Sequence, residues 1–354
     1  MDYQTELYSK LNTQADEVIR DMPDFARKFF YHLRDIGASP RTKLQYAYDM
    51  RRFFDFLGSS AGFSGKDLKA VSASDILDNL TIDDIHEYMD TLEYYNVQNG
   101  DKIEKRLASP SVKARRISSL RSFYKYYFKI GEISNNLADL MDIPKIPDKQ
   151  IVVMDKDQVN RILAAVRDIS GLTEGQIKRH NKILKRDYAI MMLFLGTGLR
   201  VSELVGIDTG DIDFYNASIL VTRKGGDQDE VFFGPEVEEA LLDYVNDGRL
   251  TLLGENSYER AFFLSMQHKR LGVRQVEGMV KNYAAKAGIN INLSPHALRR
   301  TFGTALYEST NDIYLVADAL HHSSVETTKK HYARMSRDHK RVAARESSNL
   351  FKKD

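Results

Sequence analysis

Pro144 and Pro147 stand three residues apart in Asp142-Ile143-Pro144-Lys145-Ile146-Pro147-Asp148-Lys149. Each proline lacks the backbone donor that a helix or sheet needs and biases the residue before it toward extended geometry. No helix or central strand is expected to run through this stretch, so the chain should fold as two bodies joined by an extended linker. A length of 354 residues suits two domains. The expected divisions are an N-terminal arm or extra helix over 1–22, a first domain over 23–141, the linker over 142–152, a second domain over 153–334 and a tail over 335–354.

The first half has helical spacing. From Pro40 to Leu57, Tyr46, Ala47, Met50, Phe53, Phe54 and Leu57 fall on one side of a helix, and Arg41, Tyr48 and Arg52 fall together on another. Between Ala70 and Asp101 there are eight acidic residues and no Lys or Arg, and Thr81-Ile82-Asp83-Asp84 reads as a helix start. From Ser111 to Lys129 the balance inverts, with six Lys or Arg and no acid. A helix over Pro110 to Lys129 places Ile117, Leu120, Phe123, Tyr124, Tyr127 and Phe128 in a core stripe. Arg115, Arg121, Lys125 and Lys129 line the other side. A solvated basic face would look the same, but a one-signed helix long enough for a major groove is an electrostatic footprint for nucleic acid. The formal net charge is only +1, so any polyanion-binding surface has to be local.

The second half mixes helices with one hairpin. Asp157 to Val166 reads as a helix, and the polar, basic segment 171–187 as either a loop or an inserted helix. Tyr188 to Leu195 is an apolar helix ended by Gly196-Thr197-Gly198, with Leu199-Arg200-Val201-Ser202-Glu203-Leu204 following. Glu203 is placed to orient Arg200, or to form a simple helix ion pair with it. Ser218 to Arg223 alternates as a strand, Lys224-Gly225-Gly226-Asp227 turns, and Glu230-Val231-Phe232-Phe233 returns. Helices are expected over 236–246 and 273–287. Ser294 then Pro295 reads as an N-cap followed by proline at the first helical position, which puts His296 and Arg299 on one face near a helix N-terminus. A capped surface helix would read the same way; an anion site is the alternative. The tail after Tyr332 carries Met335, Val342, Ala343, Ala344, Leu350 and Phe351, the pattern of an amphipathic helix.

The chain has no cysteine, which excludes disulfides, thiolate metal sites and cysteine nucleophiles. No signal peptide and no apolar run near membrane-spanning length is seen, so a cytoplasmic, nucleoid-associated protein is expected, with no membrane anchor.

Arg200, Lys224, His296, Arg299, His322 and Tyr332 form a chemically coherent set. Two guanidiniums grip a phosphate bidentately at any working pH. Ionising a free tyrosine at pH 7 costs roughly 4 kcal/mol, and a cationic cluster offsets that while stabilising charge on a transferring phosphate. A lysine on a hairpin tip can protonate a leaving sugar oxygen, and a histidine can take the nucleophile's proton. No carboxylate cluster of the kind Mg²⁺ needs is visible, so neither metal nor cofactor is expected. The product of such a set is a covalent phosphotyrosine on a nucleic-acid strand.

Four segments of the second half resemble motifs of the tyrosine recombinase (phage integrase) family, and most of all its Xer branch. Thr197-Gly198-Leu199-Arg200-Val201-Ser202-Glu203-Leu204 resembles the first-arginine motif, and Thr222-Arg223-Lys224-Gly225-Gly226 the hairpin lysine motif. His296-Ala297-Leu298-Arg299 resembles the His-x-x-Arg box, and His322-Ser323-Ser324, Thr327-Thr328 and Tyr332 the last histidine and nucleophile. Ser39-Pro40-Arg41-Thr42 with Tyr46, and Ser111 to Arg121, resemble the family's core-binding domain, so the likeness covers most of residues 23–340. There are departures. His321 stands where the family usually has glycine, which implies backbone strain or a role shared with the last histidine; Arg300 stands where many relatives have histidine, and His331 precedes the tyrosine. Tyr314 is a rival nucleophile by count, but it precedes the histidine.

The resemblance implies a mainly α fold: a helical, SAM-like core-binding domain and a mixed α/β catalytic domain of the DNA breaking-rejoining type with a small antiparallel sheet. It implies that Tyr332 attacks the scissile phosphate, Lys224 is the general acid, Arg200 and Arg299 hold the phosphate, and His296 and His322 assist. The DNA contacts expected in the first domain are Arg41, Tyr48, Arg52, Arg115, Arg121, Lys125 and Lys129. The partner is double-stranded DNA at a specific site, bound by a homotetramer across two sites with the tail exchanged between protomers. Within the family, chromosome-dimer resolution at a dif-like site competes with integration or excision of a mobile element. A type IB topoisomerase would share the chemistry but lacks such an N-terminal domain.

Overall fold

The computed structural model describes residues 3–59, 69–99, 102–147, 152–223, 226–255, 258–289, 293–321 and 325–326. The chain divides into two compact units, residues 1–149 and 150–354.

The first unit is built on an aromatic core. Its helices are α1 (Tyr3–Arg20), α2 (Ala26–Asp35), α3 (Pro40–Ser59), α4 (Ala73–Leu77), α5 (Ile82–Thr91) and α6 (Pro110–Lys129). Phe25 meets Phe54 edge-on at 5.9 Å, and Phe29 meets Phe123 at 5.1 Å, the offset geometry that ring quadrupoles favour. α6 starts where its sequence says it should: the Ser109 hydroxyl accepts from the Val112 amide and Pro110 takes the first turn. Ile117, Leu120, Phe123, Tyr124 and Tyr127 are buried, each side chain contributing about 1.5–3 kcal/mol of transfer free energy. Phe128, expected in the same stripe, is instead 50% exposed, because it falls one position beyond the buried face at the end of the helix. α1 is part of this unit: Ala15, Val18 and Ile19 join the core and Asp16 pairs with Lys43 of α3 at 2.7 Å.

The acidic stretch is used locally. Thr81 caps α5 and exchanges hydrogen bonds with Asp84, and Ser72 does the same with Asp75 at α4. Each carboxylate thus satisfies amides at a positive helix end. The stretch also ends in an antiparallel hairpin, β1 (Tyr94–Asn99) and β2 (Lys102–Leu107), with Tyr94 opposite Leu107. The sequence reading had no strand here. The Gly100-Asp101 pair between the two runs is the sequence signal that marks it.

The second unit is organised around α8 (Glu174–Thr197), which follows α7 (Lys156–Arg167). α8 is one continuous helix of 24 residues, so the polar segment 171–187 is helix from Glu174 onward. Thr173 and Gln176 form its capping box. Its C-terminal half buries Ala189, Ile190, Leu193 and Phe194. It ends at Gly198, whose φ of +65° is the left-handed conformation that glycine tolerates at helix ends. After α9 (Val201–Gly206) come three antiparallel strands in the order β3-β4-β5: β3 (Ile212–Asp213), β4 (Ser218–Thr222) and β5 (Gln228–Phe232). The return strand therefore begins at Gln228, two residues earlier than its apolar run suggests. α10 (Pro235–Asp243) passes through a π turn at Tyr244–Gly248 into α11 (Arg249–Leu253), and α12 (Val273–Lys286), α13 (Pro295–Thr310) and α14 (Ile313–Ala319) follow among the described residues. α10 and α13 pack on α8. Among the described residues, no helix is long and apolar enough to cross a membrane.

Candidate active site

The end of α8 delivers Arg200. Gly198 reverses the chain, Leu199 is buried, and Arg200 becomes the N-cap of α9. Its backbone N–H donates to Glu203 Oε2 at 2.7 Å, and its guanidinium Nη1 donates to Glu203 Oε1 at 2.7 Å. Glu203 is only 4% exposed and also accepts from Nη1 of Arg223, at 3.0 Å. Burial alone would raise the Glu203 carboxyl's pKa. The two hydrogen bonds from Arg200 and the positive charges of Arg223 and Arg200 outweigh it and hold the group below its ordinary value. A buried carboxylate clamped by two guanidiniums is more than a surface helix pair.

α13 delivers Arg299. Ser294 occupies the N-cap with extended backbone and Pro295 opens the helix, but the Ser294 side chain makes no capping hydrogen bond. The start is set by proline geometry instead of by a hydroxyl cap. His296 is exposed on the first turn, whereas Arg299 is 2% exposed. Arg299 Nη1 donates to the carbonyl of Gly198 at 2.6 Å, and Nη2 donates to the carbonyl of Leu320. Arg200 Nη2 donates to the next carbonyl, that of His321, at 3.2 Å. Two guanidiniums from different helices thus hold consecutive carbonyls of the turn that leads into His322.

Arg200, Arg299 and, one helical turn from Arg299, His296 are brought to one region. Lys224, His322 and Tyr332 lie outside the described residues, as does the tail 335–354. Lys224 directly follows Arg223, which is anchored to both Glu203 and Asp229, the latter at 2.7 Å. Tyr314 is exposed, near the start of α14. The sequence assigns no role to Arg223 or Asp229, and for His321 only strain or a role shared with the last histidine. Their link depends on hairpin register: Thr222 pairs with Gln228 and the Arg223 amide bonds to the Asp227 carbonyl, which leaves Asp229 diagonally across from Arg223, two positions along the return strand.

In the first unit, the basic face separates into two groups. Arg41, Tyr48, Lys125 and Lys129 project into solvent. Arg52 donates to the carbonyls of Thr91 and Tyr94, both at 2.9 Å. Arg121 donates to those of Ala138 and Asp139, at 3.2 and 2.9 Å. Arg115 pairs with Asp49, which is 3% exposed. Burial raises the Asp49 pKa, and Arg115 opposes the shift. These three arginines hold the unit's own backbone and core.

Comparison with known proteins places this arrangement. The model of the phage integrase family matches residues 152–339. A tyrosine recombinase XerC of Caldanaerobacter subterraneus is 30% identical over 318 residues, covering 87% of this chain and 82% of that protein. The fold is similar to that of the XerH site-specific recombinase bound to a palindromic difH substrate, with a TM-score of 0.61 at 16% identity over 89% of this chain and 84% of the other. It is equally similar to the Tn1549 transposon integrase in complex with a circular intermediate DNA, with a TM-score of 0.60 at 18% identity over 89% of this chain and 99% of the other. The chain belongs to the phage integrase family and is a DNA strand-cleaving and rejoining tyrosine recombinase of the Xer and integrase type.

Proposed function

We propose that this recombinase acts at a specific DNA site through a 3′-phosphotyrosine on Tyr332, and that its role is chromosome-dimer resolution at a dif-like site. The observation that carries the chemistry is the convergence of Arg200 and Arg299 on the Leu320–His321 turn. Two guanidiniums at one place suit the non-bridging oxygens of a scissile phosphate, where they are worth most as charge develops. The Tyr332 oxygen bonds to phosphorus while the bond to the 5′ oxygen breaks. Lys224 gives that oxygen its proton, and His296 and His322 bind the phosphate and receive the phenol's proton. No step calls on a metal ion.

The resolution role is supported by curated relatives named XerC and by the difH substrate of the XerH neighbour. A mobile-element role draws support from the transposon integrase neighbour. We assign residues 23–141 to DNA binding, 153–334 to catalysis and 335–354 to exchange between protomers of a homotetramer on two DNA sites. Lys125 and Lys129 are the first contacts to test.

The experiment uses a duplex selected by the protein from a randomised pool, nicked beside the cleavage position. With a chelator present, the wild type should trap a covalent complex. Tyr332→Phe should bind the duplex and trap none. A covalent complex formed equally well by Tyr332→Phe, or one that needs a divalent metal, overturns the mechanism. A selected sequence matching the replication-terminus region of the source chromosome supports the resolution role, and one matching the ends of an inserted element overturns it.

A further inference from the structure

His321 has a φ of +45°, in the left-handed region that residues other than glycine occupy uncommonly, with Asn, Asp and His the most frequent of them. Its imidazole reaches β5. Nδ1 lies 3.2 Å from Oδ2 of Asp229 in β5. The same Oδ2 accepts Nε and Nη2 of Arg223, at 3.0 and 2.7 Å. Arg223 passes on to Glu203, Glu203 to Arg200, and Arg200 to the carbonyl of His321, at 3.0, 2.7 and 3.2 Å. The contacts therefore close into a ring through three separate segments: the start of α9, the β4–β5 hairpin and the turn after α14. Within the ring two guanidiniums face two carboxylates, so its charges balance before His321 is counted.

We propose that His321 is a positioning residue that locks the turn leading into His322 to the hairpin that carries Lys224, with Asp229 as its partner. The proposal rests on the phosphotyrosine reading above. The hairpin tip and the phosphate-gripping arginines come from different parts of the chain. Proton transfer to a leaving oxygen tolerates little error in their separation. The backbone of His321 fixes Arg200, while its side chain fixes the strand after the lysine. One residue thereby ties both Arg200 and β5 to the same turn. Binding of DNA does not require that lock, because phosphate contacts elsewhere hold the duplex.

The test is single-turnover covalent trapping on the nicked duplex, beside the Kd for the same DNA. His321→Gly suits the left-handed backbone and should fold at least as stably as the wild type. It should bind with an unchanged Kd and form the covalent complex at least tenfold more slowly. His321→Asn should recover most of the rate, because asparagine tolerates this backbone and can set an amide N–H where Nδ1 stood. Asp229→Asn should also slow trapping, and adding His321→Gly to it should cost little more, the non-additivity of residues sharing one contact. Wild-type rates in His321→Gly, or no recovery in His321→Asn, overturn the proposal and leave the phosphotyrosine reading intact. Failure of the wild type to trap DNA overturns both.

Discussion

Arg223 donates to Glu203 across 3.0 Å in a place where both are nearly sealed from water, at 5% and 4% exposure. Two opposite charges so buried gain little over a hydrophobic pair, but removing one strands the other. Glu203→Ala leaves Arg200 without its carboxylate and Arg223 with Asp229 alone. We expect a loss of about 3 kcal/mol in folding stability, toward the low end for a broken buried pair because Asp229 remains. Urea unfolding measures it, and a loss below about 1 kcal/mol would show the pair to be a surface-like contact.

The same carboxylate sets a pH dependence. Its pKa in the folded chain lies below the ordinary value of 4.5, so the unfolded chain binds its proton first as pH falls. The stability it contributes is complete above the unfolded value and drains away as pH drops through the folded one. Urea midpoints taken from pH 6 down to pH 3 should fall more steeply for the wild type than for Glu203→Gln. Parallel curves would contradict the depressed pKa.

How much of this was legible in the sequence depended on the range of the interaction. The ends of α6 follow from Ser109, Pro110 and a periodic apolar stripe, all local, and were read correctly to the residue. The hairpin of the second unit followed from alternation and glycines. The arginines' targets did not follow, because carbonyls carry no sequence signature: nothing in the letters says that Arg299 reaches Gly198 and Leu320, 101 and 21 positions away. The same holds for Arg52 and Arg121, whose spacing matched a phosphate-facing surface while their guanidiniums hold backbone of their own unit. The β1–β2 hairpin was passed over because its strands are too polar to announce a buried face.

Gly198 carries two burdens at once. Its φ is +65°, and a Cβ there would come within 2.4 Å of Phe302. Gly198→Ala should lose about 3 kcal/mol, combining left-handed backbone strain with overpacking. Its carbonyl is also an acceptor for Arg299, so trapping should slow even under conditions where the variant is folded. A melting temperature equal to wild type would show that the α8 end can rearrange without cost.

The basic residues of the first unit should separate by experiment as they do by contact. Lys125→Ala should weaken DNA binding and make its dependence on salt shallower by about one phosphate contact. Arg52→Ala should change the salt slope little and lower stability by about 0.5–1.5 kcal/mol, the net value of its hydrogen bonds to the exposed Thr91 and Tyr94 carbonyls. Binding measured between 50 and 300 mM salt, with melting curves alongside, distinguishes them. Identical behaviour of the two variants would dissolve the division.

Arg299 offers the sharpest test of the proposed catalytic centre. It is 2% exposed, and its guanidinium spans the carbonyls of Gly198 and Leu320, which a lysine cannot bridge with the same planar fork. Arg299→Lys keeps the charge and loses the geometry, whereas Arg299→Ala loses both. If the guanidinium serves the phosphate as charge develops, Arg299→Ala should slow covalent trapping by on the order of 3 kcal/mol in activation free energy, about a hundredfold or more. Arg299→Lys should fall between, nearer the alanine variant. DNA affinity should change much less than the rate in both, since a group that acts on the transition state is read in the rate and not in the Kd. A loss confined to affinity would assign Arg299 to ground-state binding, and a rate that lysine fully restores would show that charge alone suffices there.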